Sequence, residues 1–259
     1  MTIEMDGTAA TKIAIVTGGS RGIGRSVVEC LATRGVDTIF TYHTRSADAE
    51  AVVAAAKAAG ARSVALPLDA GNIASFDGFV ESVKGALVQL GATGFDFLVN
   101  NAGNSHRNMP FATATEEEFE SVCNVHFKGV FFLTQKLLPL IHDGGRIVNV
   151  STARTRMIGP GGSVYASMKG AVEVLSKHMA KELGPRRIAV NVVAPGATET
   201  DFSGGIVRDN PAMNKRVAEG TALGRAGLPE DVGRMIASLL SEDNRWINAE
   251  RIEVTGGYV

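Results

Sequence analysis

The sequence predicts a doubly wound α/β fold, a single domain whose parallel sheet has about seven strands with helices on both faces. Two observations carry this. Short apolar, β-rich runs alternate with longer segments whose apolar residues recur at helical spacing. A glycine-rich turn joins the first run to the first segment. The first strand is expected over 13–16, and a helix over 23–34 that Gly35 stops. Residues 38–42 form the second strand, and Ser46 caps an alanine-rich helix over 47–59 that Gly60 ends. The third strand falls at 63–66, before a helix over 73–90 weakened by Gly78 and Gly85. The fourth strand is 95–99, and a long helix with an acidic start covers 116–141. Then come a strand at 146–150, a helix over 163–183 and a strand at 188–193, which Pro195 and Gly196 break. Pro229 opens a helix reaching Leu240, and 251–254 is the last strand. Residues 1–10 read as an N-terminal extension and 11–259 as the domain.

Composition narrows the classes. At 259 residues, with 45% apolar and 20% charged residues, the chain has ample material for a core. A net charge of −1 gives no basic excess for nucleic acid. Cys30 and Cys123 lie outside CxxC or metal-ligand spacings, so no metal site is expected. The start of the chain lacks the pattern of a signal peptide, and no apolar run reaches membrane-spanning length. The expectation is a cytoplasmic protein without membrane contact.

The turn comprises Thr17, Gly18, Gly19, Ser20, Arg21, Gly22, Ile23 and Gly24. Glycines let a backbone turn tightly and approach a phosphate, and the helix opening there adds N–H donors and the positive end of its dipole. The spacing differs from G-x-G-x-x-G, and no Gly-Lys-Ser/Thr follows as a Walker loop requires. The end of the second strand decides which dinucleotide such a turn takes, because an acid there takes the ribose hydroxyls of NAD. Here stand Tyr42, His43, Thr44 and Arg45, with no carboxylate before Asp48. Arg21 and Arg45 suit a 2′-phosphate, so the expected cofactor is NADP(H), with NADPH preferred over NADH.

Tyr165 and Lys169 are four residues apart, on one face of the helix expected over 163–183. An ammonium beside a phenol favours the phenolate and lowers its pKa from about 10 towards neutrality, which makes the tyrosine a proton carrier. A proton carrier and a dinucleotide cradle in one chain point to hydride transfer at a carbon–oxygen bond.

With that turn, then Asn100, Asn101, Ala102 and Gly103, then Tyr165-x-x-x-Lys169, and then Pro195, Gly196, Thr198 and Thr200, the chain resembles the short-chain dehydrogenase/reductase family from Lys12 onward. The resemblance implies a Rossmann-fold oxidoreductase that interconverts a carbonyl and a secondary alcohol, with a 3-oxoacyl thioester as one substrate class. It implies that Asp69 contacts the adenine and Asn100 lies near the adenine ribose, with Ala70, Ala102 and Gly103 among the cofactor-binding positions. Pro195, Gly196, Thr198 and Thr200 would meet the nicotinamide end. Tyr165 would give or take the proton, while Lys169 lowers its pKa and binds the nicotinamide ribose. A serine hydroxyl would orient the substrate oxygen, and an asparagine on the long helix would hold a water in a proton relay. The resemblance also implies a substrate-covering flap over 199–220 and a homotetramer built on helices 116–141 and 163–183.

Two positions depart from the family. Thirteen residues before Tyr165, where the family has serine, stands Thr152, whose hydroxyl can do the same work. A one-residue shift of the loop 153–164 gives the role to Ser151 instead, since successive strand residues face opposite ways. The asparagine position holds His126; an imidazole can hold a water and itself titrates near neutral pH. Arg154, Arg156, His106 and Arg107 border the expected site and can meet an anionic group on a substrate. The rival reading is a dinucleotide-binding regulatory or scaffold protein without turnover. It draws its support from His126 and Thr152.

Overall fold

The computed structural model describes residues 11–104 and 109–258; the extension 1–10 and the candidates His106 and Arg107 lie outside the described residues. The strands are β1 (Ile13–Val16), β2 (Asp37–Tyr42), β3 (Ser63–Pro67), β4 (Phe95–Asn100), β5 (Ile141–Val150), β6 (Ala189–Pro195) and β7 (Arg251–Val254). Each pairs with its neighbours in parallel, in the order β3-β2-β1-β4-β5-β6-β7. The strand order reverses between β1 and β4, which opens a crevice at the carboxyl ends of those strands.

The helices are α1 (Gly22–Ala32), α2 (Ser46–Ala58), α3 (Phe76–Gln89), α4 (Glu116–Cys123), α5 (Gly129–Leu137), α6 (Ser163–Glu182), α7 (Ile206–Asp209), α8 (Pro211–Glu219) and α9 (Pro229–Leu239). Side chains of a strand alternate between faces, so β1 feeds two cores. Ile13 and Ile15 pack with Phe76, Phe79 and Val83 of α3 and with Leu133 and Leu137 of α5. Ala14 and Val16 pack with Val27, Val28 and Leu31 of α1, Val52 of α2 and Ile236 of α9. Polar side chains also link the layers. The Asn100 amide donates to Thr134 Oγ1 (2.9 Å) and Asn149 Oδ1 (2.8 Å), and Asn149 donates to Ser176 (2.8 Å), which ties β4, β5, α5 and α6 together.

Three boundaries differ from the sequence reading. Arg45, not Ser46, holds the N-cap position of α2, and Ser46 is its first helical residue. The helix expected over 73–90 begins as a 3₁₀ turn, Ile73–Ser75, before α3. The long helix expected over 116–141 is interrupted. It starts on a capping box between Thr115 and Glu118, passes through a π-helical turn at Asn124–Lys128, and ends in a 3₁₀ turn containing Pro139. Ile141 already belongs to β5, whose register against β4 shifts between Phe95 and Phe97. The segment 199–220 carries α7 and α8. Among the described residues, no helix is long and apolar enough to cross a membrane, and no cluster of His, Cys, Asp and Glu is placed to hold a metal ion.

Candidate active site

The glycine turn lies at the mouth of the β1–β4 crevice. Gly18 (φ +66°) and Gly22 (φ +54°) adopt conformations that L side chains rarely take. At Gly24 an added Cβ would run into the Gly18 carbonyl, so α1 packs directly onto the turn. Asn101 locks the turn from β4: its amide donates to Thr17 O (2.9 Å) and Gly18 O (3.1 Å). Thr17 Oγ1 accepts from the N–H groups of Asn101 and Ala102, both at 2.9 Å. Helix α1 starts with no side-chain cap and no acid in its first turn. Its leading N–H groups and dipole end are therefore left for an anion. Ser20 is buried in the turn and Ile23 packs half-buried against the core beside α1. A pyrophosphate fits this cradle.

At the end of β2, Tyr42 is half-buried, and His43, Thr44 and Arg45 are exposed. His43 Nε2 stands 4.0 Å from Asp69 Oδ2, and Asp69 Oδ1 accepts from Gly71 N (2.9 Å). The neighbouring Ala70 carbonyl abuts Gly129, where no Cβ would fit. Arg21 and Arg45 both reach towards Asp201, at 3.4 Å and 3.5 Å. At the end of β6, Gly196 N donates to Val254 O (3.0 Å) and Thr198 Oγ1 to Gly196 O (3.1 Å). This fixes the run after Pro195, and Thr200 comes down over Gly22. Both N–H groups of the Asn100 amide are spent within the core.

The catalytic candidates gather where β5 ends and α6 begins. Tyr165 and Lys169 occupy the first two turns of α6 and are both buried. The Thr152 hydroxyl lies close enough to the Tyr165 phenol to pull its pKa down, and it accepts from Arg154 N (3.3 Å). Ser151 faces the other way and donates to Glu173 Oε1 (2.6 Å). Glu173 also accepts from Thr155 (2.9 Å) and pairs with Arg251 (2.9 Å), which donates to Thr152 O (3.2 Å). This network props the loop that carries Thr152. The alternation of strand residues thus separates the two hydroxyls.

Burial sets the titration of the pair. Desolvation pushes Tyr165 up to about 12, against the smaller opposing pull of the Thr152 hydrogen bond and the Arg154 charge. Desolvation likewise lowers Lys169 to about 8. Lys169 Nζ donates to Val150 O (2.7 Å) and lies 6.0 Å from the centre of the Tyr165 ring. The sequence reading expects the ammonium to bring the phenol towards neutrality; burial works in the opposite direction, because the phenolate loses its water.

His126 lies in the π-helical turn and is 1% exposed, which turns its ring inward against the site. Its ring meets Tyr165 edge-on, with centres 5.0 Å apart and planes at 87°. Nε2 is 3.0 Å from Asn104 Oδ1, within hydrogen-bond distance. Gly103 admits the ring, since a Cβ there would lie 2.9 Å from His126 Cε1. Arg154 donates to Pro160 O (3.2 Å), whereas Arg156 pairs with Glu253 (3.2 Å).

A family model described as enoyl-(acyl carrier protein) reductase matches residues 18–259. The 3-oxoacyl-[acyl-carrier-protein] reductase of Staphylococcus epidermidis is 36% identical over 248 residues, 95% of this chain and 98% of the relative. A solved mutant of a Serratia marcescens short-chain dehydrogenase/reductase is 31% identical with a TM-score of 0.87, covering 95% of this chain and 97% of that one. The chain belongs to the short-chain dehydrogenase/reductase family. A further structure, the angucycline C-6 ketoreductase LanV with bound NADP, is 35% identical, with a TM-score of 0.90 and 96% of both chains covered.

As a short-chain dehydrogenase/reductase, the chain has side chains that its motifs did not reveal. Glu173 follows Lys169 by one helical turn, a spacing that places it on the same face of α6. Asn104, Arg251 and Asp201 act across long stretches of sequence and carry no local signal. The division between Thr152 and Ser151 has a measurable consequence. Thr152→Ala is expected to lower kcat/KM about 100-fold with little change in stability. Ser151→Ala is expected to keep kcat/KM within about threefold and to lower Tm, because Glu173 loses a buried donor. Steady-state kinetics and thermal unfolding of both variants check this.

Proposed function

We propose that this enzyme reduces a ketone to a secondary alcohol with NADPH and catalyses the reverse reaction with NADP. The observation that carries the reading is the burial of Tyr165 and Lys169 on one face of α6, with the Thr152 hydroxyl near enough to act on the phenol. The bound cofactor supplies the hydride. Tyr165, kept protonated by burial, donates its proton to the substrate oxygen as negative charge develops there. Thr152 holds that oxygen through its hydroxyl. Lys169 holds the ribose and, when charged, supports the phenolate left after transfer. His126 packs the far side of the Tyr165 ring and fixes its direction. Against the non-catalytic reading stands a hydroxyl at position 152 that lies near the Tyr165 phenol, as the family serine would.

Gly18, Ser20, Gly22 and Gly24 would hold the pyrophosphate, and Arg21 and Arg45 the 2′-phosphate. The absence of a carboxylate at the end of β2 supports NADP(H), as does the NADP bound to LanV. Exposed Phe111 and Ile158, on the segments leading to the site, favour an apolar ketone. The Staphylococcus relative and the nearby Arg154 support a 3-oxoacyl thioester as the second substrate class. Phe131, Phe132 and Val174, exposed on α5 and α6, support the homotetramer expected on those helices. Titration of nicotinamide fluorescence tests the cofactor assignment. NADPH is expected to bind about tenfold more tightly than NADH, and Arg45→Gln to weaken NADPH about tenfold while sparing NADH. Equal binding of the two by the wild type would remove the assignment.

A further inference from the structure

The two arginines assigned to the 2′-phosphate converge on one atom. Arg21 Nη1 lies 3.4 Å and Arg45 Nη1 3.5 Å from Asp201 Oδ2. The other oxygen, Oδ1, accepts from Arg208 Nη1 at 2.6 Å. Arg208 belongs to α7 and also grips Asp209 with two bonds, at 2.7 Å and 2.8 Å. One carboxylate therefore ties the cofactor's charged end to the flap. Two guanidinium groups on one oxygen form an anion site, and a carboxylate oxygen is what a phosphate oxygen would replace. The next residue, Phe202, rests against the Tyr165 ring, with centres 5.9 Å apart and planes at 45°. Consecutive side chains thus cover the two ends of the cleft. Immediately after them, Ser203, Gly204 and Gly205 all have positive φ (55°, 72° and 74°), and this places a sharp joint between Phe202 and α7.

We propose that Asp201 is a cofactor-responsive latch, whose carboxylate holds the place of the 2′-phosphate on Arg21 and Arg45 until NADPH displaces it. NADH, without that phosphate, leaves Asp201 where it is. This rests on the NADP(H) reading above. Phosphate and carboxylate cannot share the two arginines, because like charges at that separation repel. Binding of NADPH then releases the first turn of the flap, and with it the Phe202 ring over Tyr165. Binding of NADH leaves that turn tethered.

The test is the dissociation constant of NADPH and of NADH, read by nicotinamide fluorescence on the full chain. Asp201→Asn removes the competing charge and is expected to tighten NADPH roughly threefold to tenfold, with NADH changed less than about twofold. Asp201→Glu keeps a carboxylate and is expected to stay within about twofold of wild type for NADPH. Asp48→Asn is the control, since Asp48 also pairs with Arg45 (3.5 Å) but from α2, outside the flap. It is expected to move NADPH less than about twofold. Equal tightening by Asp48→Asn would mean that removal of any nearby charge suffices, and would overturn the proposal. Equal tightening by Asp201→Glu would point to a loosened flap instead and overturn it too. So would an unchanged or weakened NADPH affinity in Asp201→Asn. Failure of the cofactor reading looks different: the wild type would not separate NADPH from NADH, and Arg45→Gln would move neither. That result also overturns the proposal, because it removes the anion site itself.

Discussion

Tyr165→Phe is expected to lower kcat/KM for ketone reduction by about 10³-fold while NADPH binding stays within about twofold. The substitution removes one oxygen from a buried ring that His126 and Phe202 continue to hold, so the site keeps its shape. The oxygen removed is the one on which the Thr152 hydroxyl acts, where the proton must be supplied. A loss confined to kcat/KM, with cofactor affinity intact, assigns Tyr165 to the chemistry. A matching loss of NADPH affinity would mean that the ring holds the cofactor rather than carrying the proton. The raised pKa of Tyr165 also sets a direction. Near neutral pH the phenol is protonated, the form needed for reduction. Alcohol oxidation needs the phenolate, so its rate is expected to climb with pH into the alkaline range, while reduction stays level and then falls.

Lys169→Met is expected to separate stability from activity. Burial lowers Lys169 from its usual value to about 8. An unfolded lysine titrates near about 10.4. Between these values the unfolded chain binds the extra proton, so stability rises with pH across that window, and the cost of burying the charge is present in full below it. That cost is on the order of 3 kcal/mol, offset by about 1–2 kcal/mol for the donor that Val150 O would lose. The methionine variant is therefore expected to be about 1–2 kcal/mol more stable than the ligand-free wild type at pH 7, with the gain gone above about pH 10. Its kcat is expected to fall at least about 100-fold. Tyr165 acts in the opposite sense at higher pH: its folded value of about 12 exceeds the unfolded value near about 10, so stability falls as pH rises between them. Denaturant unfolding of both proteins across this range checks the account. A methionine variant less stable than wild type at pH 7 would show that the Lys169 charge is well solvated or well paired.

Local pattern carried most of the fold. The four-residue apolar run of β1 and the glycines after it placed the cradle, because tight turns and phosphate approach demand particular residues. The spacing of Tyr165 and Lys169 set both side chains on one face of α6, as helix geometry requires. Other features depend on distant contacts. The long helix breaks into a π-turn at Asn124–Lys128, where His126 packs beside Tyr165, and no residue in that stretch signals such a turn. The choice between Thr152 and Ser151 rested on which way the last strand residues face, and Glu173 with Arg251 settles where Ser151 points. The titration of Tyr165 was misjudged from the sequence because spacing reports proximity to a charge and says nothing of burial. Asp201 was missed because its partners, Arg21 and Arg45, are far away in sequence.

The most direct test of hydride transfer with Tyr165 as proton donor uses NADPH carrying deuterium at the transferring position. Wild-type enzyme would be incubated with apolar ketones and a 3-oxoacyl thioester, and the products read by mass spectrometry. The account predicts an alcohol bearing one deuterium on the carbinol carbon for each NADPH oxidised, and almost none from Tyr165→Phe at the same cofactor occupancy. Unlabelled alcohol, or undiminished labelling by the phenylalanine variant, would contradict it.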